Sequence, residues 1–379
     1  MGYNRVMDAP RSPLFHFADS YRDADQYYLT GFLCPDPFAV LQTGAMTAIV
    51  VPDLEFNRAK RETKGLRVLP LSRFHRGNGV LYGAVTHFLL SEAGPDIRVL
   101  PSLPVGLARA VEQAGFNIDV DEKGVRDRRR AKSLQEIAAI EKVQRVTEDA
   151  MEYIRATLAG CRASGGVLQY DGRPLTAEIL RSLVEVFLLE RGMETTDSIV
   201  APGQGGADPH WRGAGGLVRN VPIVVDLFPR DRSSRYHSDM SRTFVLGRPS
   251  SAVRRMHEAV IEAQDAALDR LKPGVALADV HRAVCEVFSR RGFGVPSKGE
   301  PLPRRGFLHG TGHGLGLDVH EPPTVSESKD ILMPGDVITV EPGLYDRRVG
   351  GMRIEDVVAV TPDGEVRNLT RFDRVLEIL

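Results

Sequence analysis

Cysteine is scarce in this chain of 379 residues: Cys34, Cys161 and Cys285 lie far apart. A dispersed, odd-numbered set gives neither a disulfide framework nor a CxxC zinc pattern, and favours a reducing compartment. Charge of one sign is also lacking, with 49 Lys and Arg against 50 Asp and Glu and a net charge of −1. That balance removes the electrostatic drive of a nucleic-acid binder, and the one dense basic run, Arg128-Arg129-Arg130, falls in a presumed linker. No apolar run approaches the roughly 20 residues of a membrane span. The start, Met1-Gly2-Tyr3-Asn4-Arg5, has no apolar signal-peptide core. These absences predict a soluble, cytoplasmic protein with no nucleic-acid or membrane partner. The length points to two or three domains, and a hydrophobic fraction of 42% supplies ample core.

Two regimes divide the chain. Residues 1–126 mix strand-like runs such as Ala48–Pro52 with short helical stretches and hold no cluster of His and carboxylates. The charged segment 127–132 reads as a linker. Ser133-Leu134-Gln135-Glu136 is then a capping box, and Ile137, Ile140, Val143, Val146, Ala150 and Ile154 recur at helical spacing, so a long amphipathic helix opens a domain over 133–379. Helices are expected over Thr176–Arg191, Ser250–Leu271 and Ala278–Arg290. Strands are expected over Val221–Leu227, Arg242–Leu246, Val337–Val340 and Met352–Val360, with a hairpin turn at Thr361–Glu365. Strands, helices, then strands again indicate an α+β domain with a mostly antiparallel sheet.

The chemistry collects in this second domain, at strand ends. Asp226 ends an apolar run, Asp239 precedes the strand Arg242–Leu246, and a hairpin would bring both to one face. His309, His313 and His320 fall within twelve positions, interleaved with Gly310, Gly312, Gly314 and Gly316. Glu341 closes another apolar strand, and Glu355 lies in a strand of alternating character. Burying a carboxylate is costly without a partner. Four carboxylates and an imidazole at apolar strands share one explanation, a pair of divalent cations, which can polarise a carbonyl and generate a hydroxide between them.

At these residues the sequence resembles the pita-bread metallopeptidases, which include methionine aminopeptidases, aminopeptidase P and the prolidases. The resemblance covers about Ala131–Leu379 and rests on the order Asp226, Asp239, His313, Glu341, Glu355. It is carried by Ser238-Asp239-Met240-Ser241-Arg242-Thr243, by the stretch His309–Glu321 and by Glu341-Pro342-Gly343. It implies a C-terminal pita-bread domain of α+β class behind a smaller α/β, creatinase-like N-terminal domain. It implies that those five residues hold two divalent metal ions per chain, Mn²⁺ foremost, with Co²⁺, Zn²⁺ or Fe²⁺ also accommodated. A metal-bridging hydroxide would be the nucleophile, with Glu341 handling its proton. His210 and His320 would stabilise the developing oxyanion or place substrate, Arg353 and Tyr345 would orient ligands and substrate, and His309 would lie near a proline pocket. Trp211 either walls that pocket or packs ordinarily.

Two departures accompany the likeness. The Asp226–Asp239 connection is about two residues longer than the usual pattern, with Phe228-Pro229 where glycine is common, so the hairpin must bulge. Trp211 stands where a small residue is common. The N-terminal domain and Tyr28-Leu29-Thr30-Gly31-Phe32 are similar to the prolidase and aminopeptidase P branch, which implies cleavage of a Xaa-Pro peptide bond by a homodimer. A dipeptide-only enzyme needs a cation for the product-side carboxylate, and Arg230, Arg232 and Arg235 in the lengthened hairpin are candidates. The reading leans to Xaa-Pro dipeptidase, with Xaa-Pro aminopeptidase as the alternative. A non-catalytic binding protein on the same fold is the other-class alternative; such relatives lose metal ligands, whereas all five positions are filled here.

Overall fold

The computed structural model describes residues 12–75, 81–195, 197–296, 299, 301 and 303–379. The extreme N-terminus, whose sequence shows no signal-peptide core, lies outside them. The chain forms two compact units, Met1–Arg129 and Arg130–Leu379. The first is built on a mixed six-stranded sheet in the order Leu66–Pro70, Thr47–Val51, Phe38–Gln42, Leu14–Ala18, Asp96–Val99 and Asn117–Val120. Period-two alternation divides its two cores. Phe15, Phe17, Ala39, Leu41, Ala48 and Val50 pack on one face, and Leu14, Phe38, Val40, Ile49 and Val51 on the other. The charged run expected to be a linker includes the end of a helix, Gly124–Arg130. There Arg129 is buried, with Nη1 2.7 Å from Asp25. A cation that finds a buried partner takes its segment into the fold instead of leaving it solvated.

The second unit opens with the helix Leu134–Ala159, started by the expected capping box: the Ser133 hydroxyl accepts from the Glu136 N–H and the Glu136 carboxylate accepts from the Ser133 N–H. Thr176 caps Ala177–Glu190 and Ser250 caps Ser251–Leu268 in the same way. The helix after them spans Leu277–Arg290. Two sheets follow from the remaining pattern. One runs Ile199–Pro202, Ile223–Leu227, Met240–Leu246 and Glu377–Ile378; the other runs Glu321–Val325, Gly312–Gly314, Val337–Val340, Asp356–Val360 and Val366–Asn368. The mixed sheets and helices make the unit α+β.

The first two helices bury Val143, Met151, Ile154, Leu180, Val184 and Leu188 against Ile223, Val225 and Leu227 and against Met240, Phe244 and Leu246. Because strand side chains alternate, Asp226 must then point to the opposite face, as must Ser241 and Thr243. The other helix pair covers Ile338, Val340, Val358 and Val360 of the second sheet. The expected strand Met352–Val360 is two strands, Gly350–Arg353 and Asp356–Val360. Gly350–Arg353 pairs with Gly343–Asp346, and Asp356–Val360 pairs with Val337–Val340. The two partners break at the same level, so Glu341 and Glu355 both sit at one kink.

Candidate metal centre

One cavity of about 880 Å³ is lined by Asp226, Asp239, His313, Glu341 and Glu355, together with His210, His309, His320 and Arg353. Each carboxylate arrives by a different constraint. Asp226 lies opposite Ser241 in the antiparallel pair, which places Asp239 just beyond the pairing, on the same face. The Glu341 N–H donates to the Thr311 carbonyl at 2.8 Å and the Glu355 N–H to the Ser241 carbonyl at 3.0 Å. Those bonds replace the ladder bonds lost at the kink and tie each glutamate's backbone to a neighbouring segment. His313 lies at a register shift in its strand pair, a bulge of the kind that re-aims a side chain.

Potential ligand atoms of Asp239, His313 and Glu355 all lie within 4.8 Å of one another. The His313 Nδ1 is 3.1 Å from the Gly314 carbonyl, which can only accept, so the proton sits on Nδ1. The Nε2 lone pair then faces Asp239 Oδ2 at 3.7 Å and Glu341 Oε1 at 3.4 Å. The buried Asp226 Oδ1 has no hydrogen-bond partner, and no donor reaches Asp239 among the described residues. Burial and then mutual repulsion push Asp239 and Glu355 well above the usual carboxylate range, and burial pushes Glu341 up as well. One guanidinium, Arg353, answers four carboxylates. Its Nη2 donates to Asp226 Oδ2 at 2.6 Å, its Nε to the Ser241 hydroxyl at 2.8 Å and its Nη1 to the Tyr345 hydroxyl at 3.1 Å. An orphaned Asp226 oxygen, three further carboxylates and an imidazole gathered around one guanidinium suit an oxygen-rich divalent-cation site, so the donor set fits the metals implied by the sequence.

The accessory residues divide by geometry. His309 Nδ1 donates to the Gly310 carbonyl at 2.7 Å, so its Nε2, 2.8 Å from the Tyr345 hydroxyl, is the acceptor of that phenol. Burial holds His309 below its ordinary value and pushes Tyr345 up to about 12, so both are neutral and neither His309 nitrogen is free. His320 stands edge-on to His313, with centroids 4.2 Å apart. Neither His210 nor His320 has a side-chain hydrogen bond among the described residues. Tyr345 touches the cavity-lining His309 and Arg353 from behind. Trp211 does not line the cavity: its ring packs on Ile199, Ala201 and Val224, in space that a side chain at Gly205 would need.

Arg230, Arg232 and Arg235 do not reach the cavity either. The lengthened connection bulges as expected, through the short pair Arg230–Asp231 with Met193–Glu194. Arg230 Nη2 and Arg235 Nη1 bond Glu194 at 2.7 and 2.9 Å, with Arg232 Nε 3.9 Å from it. Glu194 is half-buried, and three guanidiniums gather on it instead of on substrate. Besides Arg353, Arg212 lines the cavity, a residue the sequence reading passed over. Ser241 and Thr339 were also missed, although period two from Asp239 and Glu341 puts both on the site's face. Ser241 bridges Glu355 and Arg353, and the Thr339 hydroxyl accepts from the His313 N–H at 3.1 Å.

Comparison with known proteins bears on the family. The sequence model of metallopeptidase family M24 matches residues 138–362. The Xaa-Pro dipeptidase of Pyrococcus horikoshii is 31% identical over 366 residues, 94% of this chain and 92% of that protein. The crystal structure of the prolidase from Pyrococcus horikoshii superposes with a TM-score of 0.79 at 27% identity, covering 96% of this chain and 95% of that one. The X-Pro aminopeptidase structure from Thermotoga maritima gives 0.80 at 25% identity, covering 96% and 97%. The family match spans every clustered carboxylate and histidine, and the relatives align nearly end to end: the chain belongs to metallopeptidase family M24.

Proposed function

We propose that the protein is an Xaa-Pro dipeptidase that works with two divalent metal ions, Mn²⁺ foremost, held by Asp226, Asp239, His313, Glu341 and Glu355. The observation that carries this reading is the convergence of four carboxylates and the His313 imidazole on one cavity, with Arg353 the one guanidinium bonded to the cluster among the described residues. The bound metals supply Lewis-acid polarisation of the scissile carbonyl and an activated water. Glu341, on the cavity wall, takes the proton of the attacking water and returns it to the departing proline nitrogen. His210 and His320, with ring nitrogens left for substrate, steady the developing charge on the carbonyl oxygen. His309, with both nitrogens occupied, offers a neutral ring face as one wall of the proline pocket. Arg353 and Tyr345 position Asp226 and His309 and need not touch substrate.

The preference for dipeptides rests on Arg212. Its carbonyl accepts from the Val200 N–H at 3.0 Å, and Gly213 behind it leaves no room for a side chain against Val200, so the backbone is pinned to the strand beside Asp226. Its guanidinium lies 3.1 Å from Asp197 and 3.8 Å from Glu185, and is about half exposed at 49%. The other cavity-lining guanidinium, Arg353, has its donors engaged. Arg212 therefore receives the carboxylate of a dipeptide through its planar fork. Relatives and structural neighbours named as dipeptidases and prolidases support the same choice.

Hydrolysis of Ala-Pro beside Ala-Pro-Ala by Mn²⁺-loaded protein, with a chelator control, tests the reading. Cleavage of the dipeptide alone, abolished by chelator, is the expected result. Equal cleavage of the tripeptide makes this an Xaa-Pro aminopeptidase, and cleavage of neither by protein with two bound metals rejects the substrate class. Elemental analysis reads the metal count, and light scattering reads the homodimer that the resemblance implies.

A further inference from the structure

We propose that a second cavity, beside the ribbon of strands Gly343–Asp346 and Gly350–Arg353, is a binding site for a phosphate monoester with an apolar body. It has a volume of about 510 Å³ and shares no lining residue with the carboxylate cavity. Four guanidiniums converge on it, from Arg255 on the helix Ser251–Leu268, Arg291 just past the helix Leu277–Arg290, Arg305 and Arg348. Asp346 is the one acid in the lining among the described residues. It answers Arg348, which bonds it through Nε at 3.0 Å and Nη2 at 2.7 Å. Arg291 is turned to Glu262, with Nε at 2.6 Å. Arg255 and Arg305 have no ion-pair partner among the described residues. The hydrogen bonds from Arg348, with the Arg305 charge adding to them, hold Asp346 down at about 2.

Four exposed guanidiniums along one cavity give it a positive potential that favours an anion. The guanidinium fork matches the oxygens of a phosphate, and two unengaged forks suit a doubly charged group better than a single carboxylate. Beneath the rim the lining turns apolar, with Met256 and Leu344 buried and Phe293 half-buried. A site with a charged mouth and an apolar floor takes an anionic head with an apolar body. Its inner wall includes Tyr345, whose hydroxyl holds His309 from the opposite side.

Titration calorimetry of the full chain with phenyl phosphate and with inorganic phosphate, each with and without divalent metal, tests the proposal. One phenyl phosphate is expected per chain, bound about tenfold tighter than inorganic phosphate, because a phenyl ring buries apolar area on the floor. The metal-free arm keeps the site at work even when the carboxylate cavity carries no cation to attract the anion. Arg255→Glu with Arg305→Glu is expected to weaken binding at least tenfold, and Arg255→Gln with Arg305→Gln gives a neutral pair with less risk to folding and the same direction of change. Absence of binding at millimolar anion overturns the proposal, as does binding that both double variants leave unchanged. Equal affinity for the two anions overturns the monoester and leaves free phosphate as the occupant.

Discussion

Replacing Arg212 with methionine keeps the length and apolar stem of the side chain and removes the charge and the fork. The size of the effect follows from where the guanidinium sits. A hydrogen bond to a charged group contributes about 1.5–3 kcal/mol when well shielded, whereas a fully exposed ion pair contributes about 0–1 kcal/mol. Arg212 is 49% exposed and already shares its charge with Asp197 at 3.1 Å. Its contact with a substrate carboxylate should therefore be worth about 1–2 kcal/mol, which is about 5–30-fold in affinity. Steady-state kinetics on Ala-Pro and on its C-terminal amide, in Mn²⁺, separate the roles. Arg212→Met should raise KM for Ala-Pro by that factor and lower the Ala-Pro to amide ratio of kcat/KM equally. Arg212→Lys should recover only part of the ratio, since an ammonium cannot form the paired contact. An unchanged ratio refutes the assignment. So does an equal loss on both substrates, which is the mark of a residue that merely holds the cavity wall.

Three other perturbations probe the carboxylate cavity. Glu341→Gln keeps the shape but not the base, so turnover should fall by about 10²–10⁴, with circular dichroism and melting temperature near those of the parent; full activity would sink the acid/base role. In metal-free protein, Asp239, Glu341 and Glu355 have folded pKa values raised by burial. They bind more protons folded than unfolded, so stability should fall as pH rises above about 4. Added Mn²⁺ should raise the melting temperature and flatten that slope, and a metal-free melting temperature that climbs from pH 5 to pH 8 would contradict the directions given. Arg353→Met leaves Asp226, Ser241 and Tyr345 without a buried donor, a loss of about 3–5 kcal/mol. The melting temperature of the second unit should drop by about 6–20 °C, more in chelator than in Mn²⁺, and a drop of the same size in both would separate Arg353 from the charge balance of the site.

The sequence was informative where chemistry repeats with a period. Apolar runs bounded by turn residues were enough to find the strands in Val221–Leu227 and Arg242–Leu246, and the Ser133 capping box located the helix that follows within a residue. Asp226, Glu341 and Glu355 were legible because each lies in or at the end of an apolar strand, where an unpaired charge needs a reason, Asp239 because it precedes one, and His313 because three histidines crowd one glycine-rich stretch. What escaped was set by partners distant in sequence. Nothing local in 230–235 says that three arginines will gather on Glu194, and nothing near Trp211 says that Gly205 leaves room for its ring. Arg212 was overlooked for the same cause. Its aim depends on Gly213 lying against Val200 and on Asp197, neither of which has a periodic signature. The break inside Met352–Val360 was hidden because Ile354 and Glu355 continue the alternation while their backbone leaves the sheet.

That break is also what makes a site out of two sheets. In a continuous ladder Glu341 and Glu355 would bond only to each other's strands. At the kink the pairing Val340↔Asp356 gives way to Gly343↔Arg353, and the backbones between reach out to Thr311 and Ser241. The Ser241 strand is the one paired with Asp226, and Thr311 lies two residues before His313. Each glutamate is thereby indexed to another metal-binding candidate through a backbone bond of 3.0 Å or less, which no side-chain rotamer can relax. Close backbone approach enforces the same geometry, since a side chain at Gly312 would strike the Thr339 carbonyl and one at Gly351 the Gly206 carbonyl. Preorganisation of this kind lets the chain hold four buried carboxylates near one another before any cation arrives. The repulsion they store is released when it does, so metal binding and the stability of this unit are two readings of one free energy.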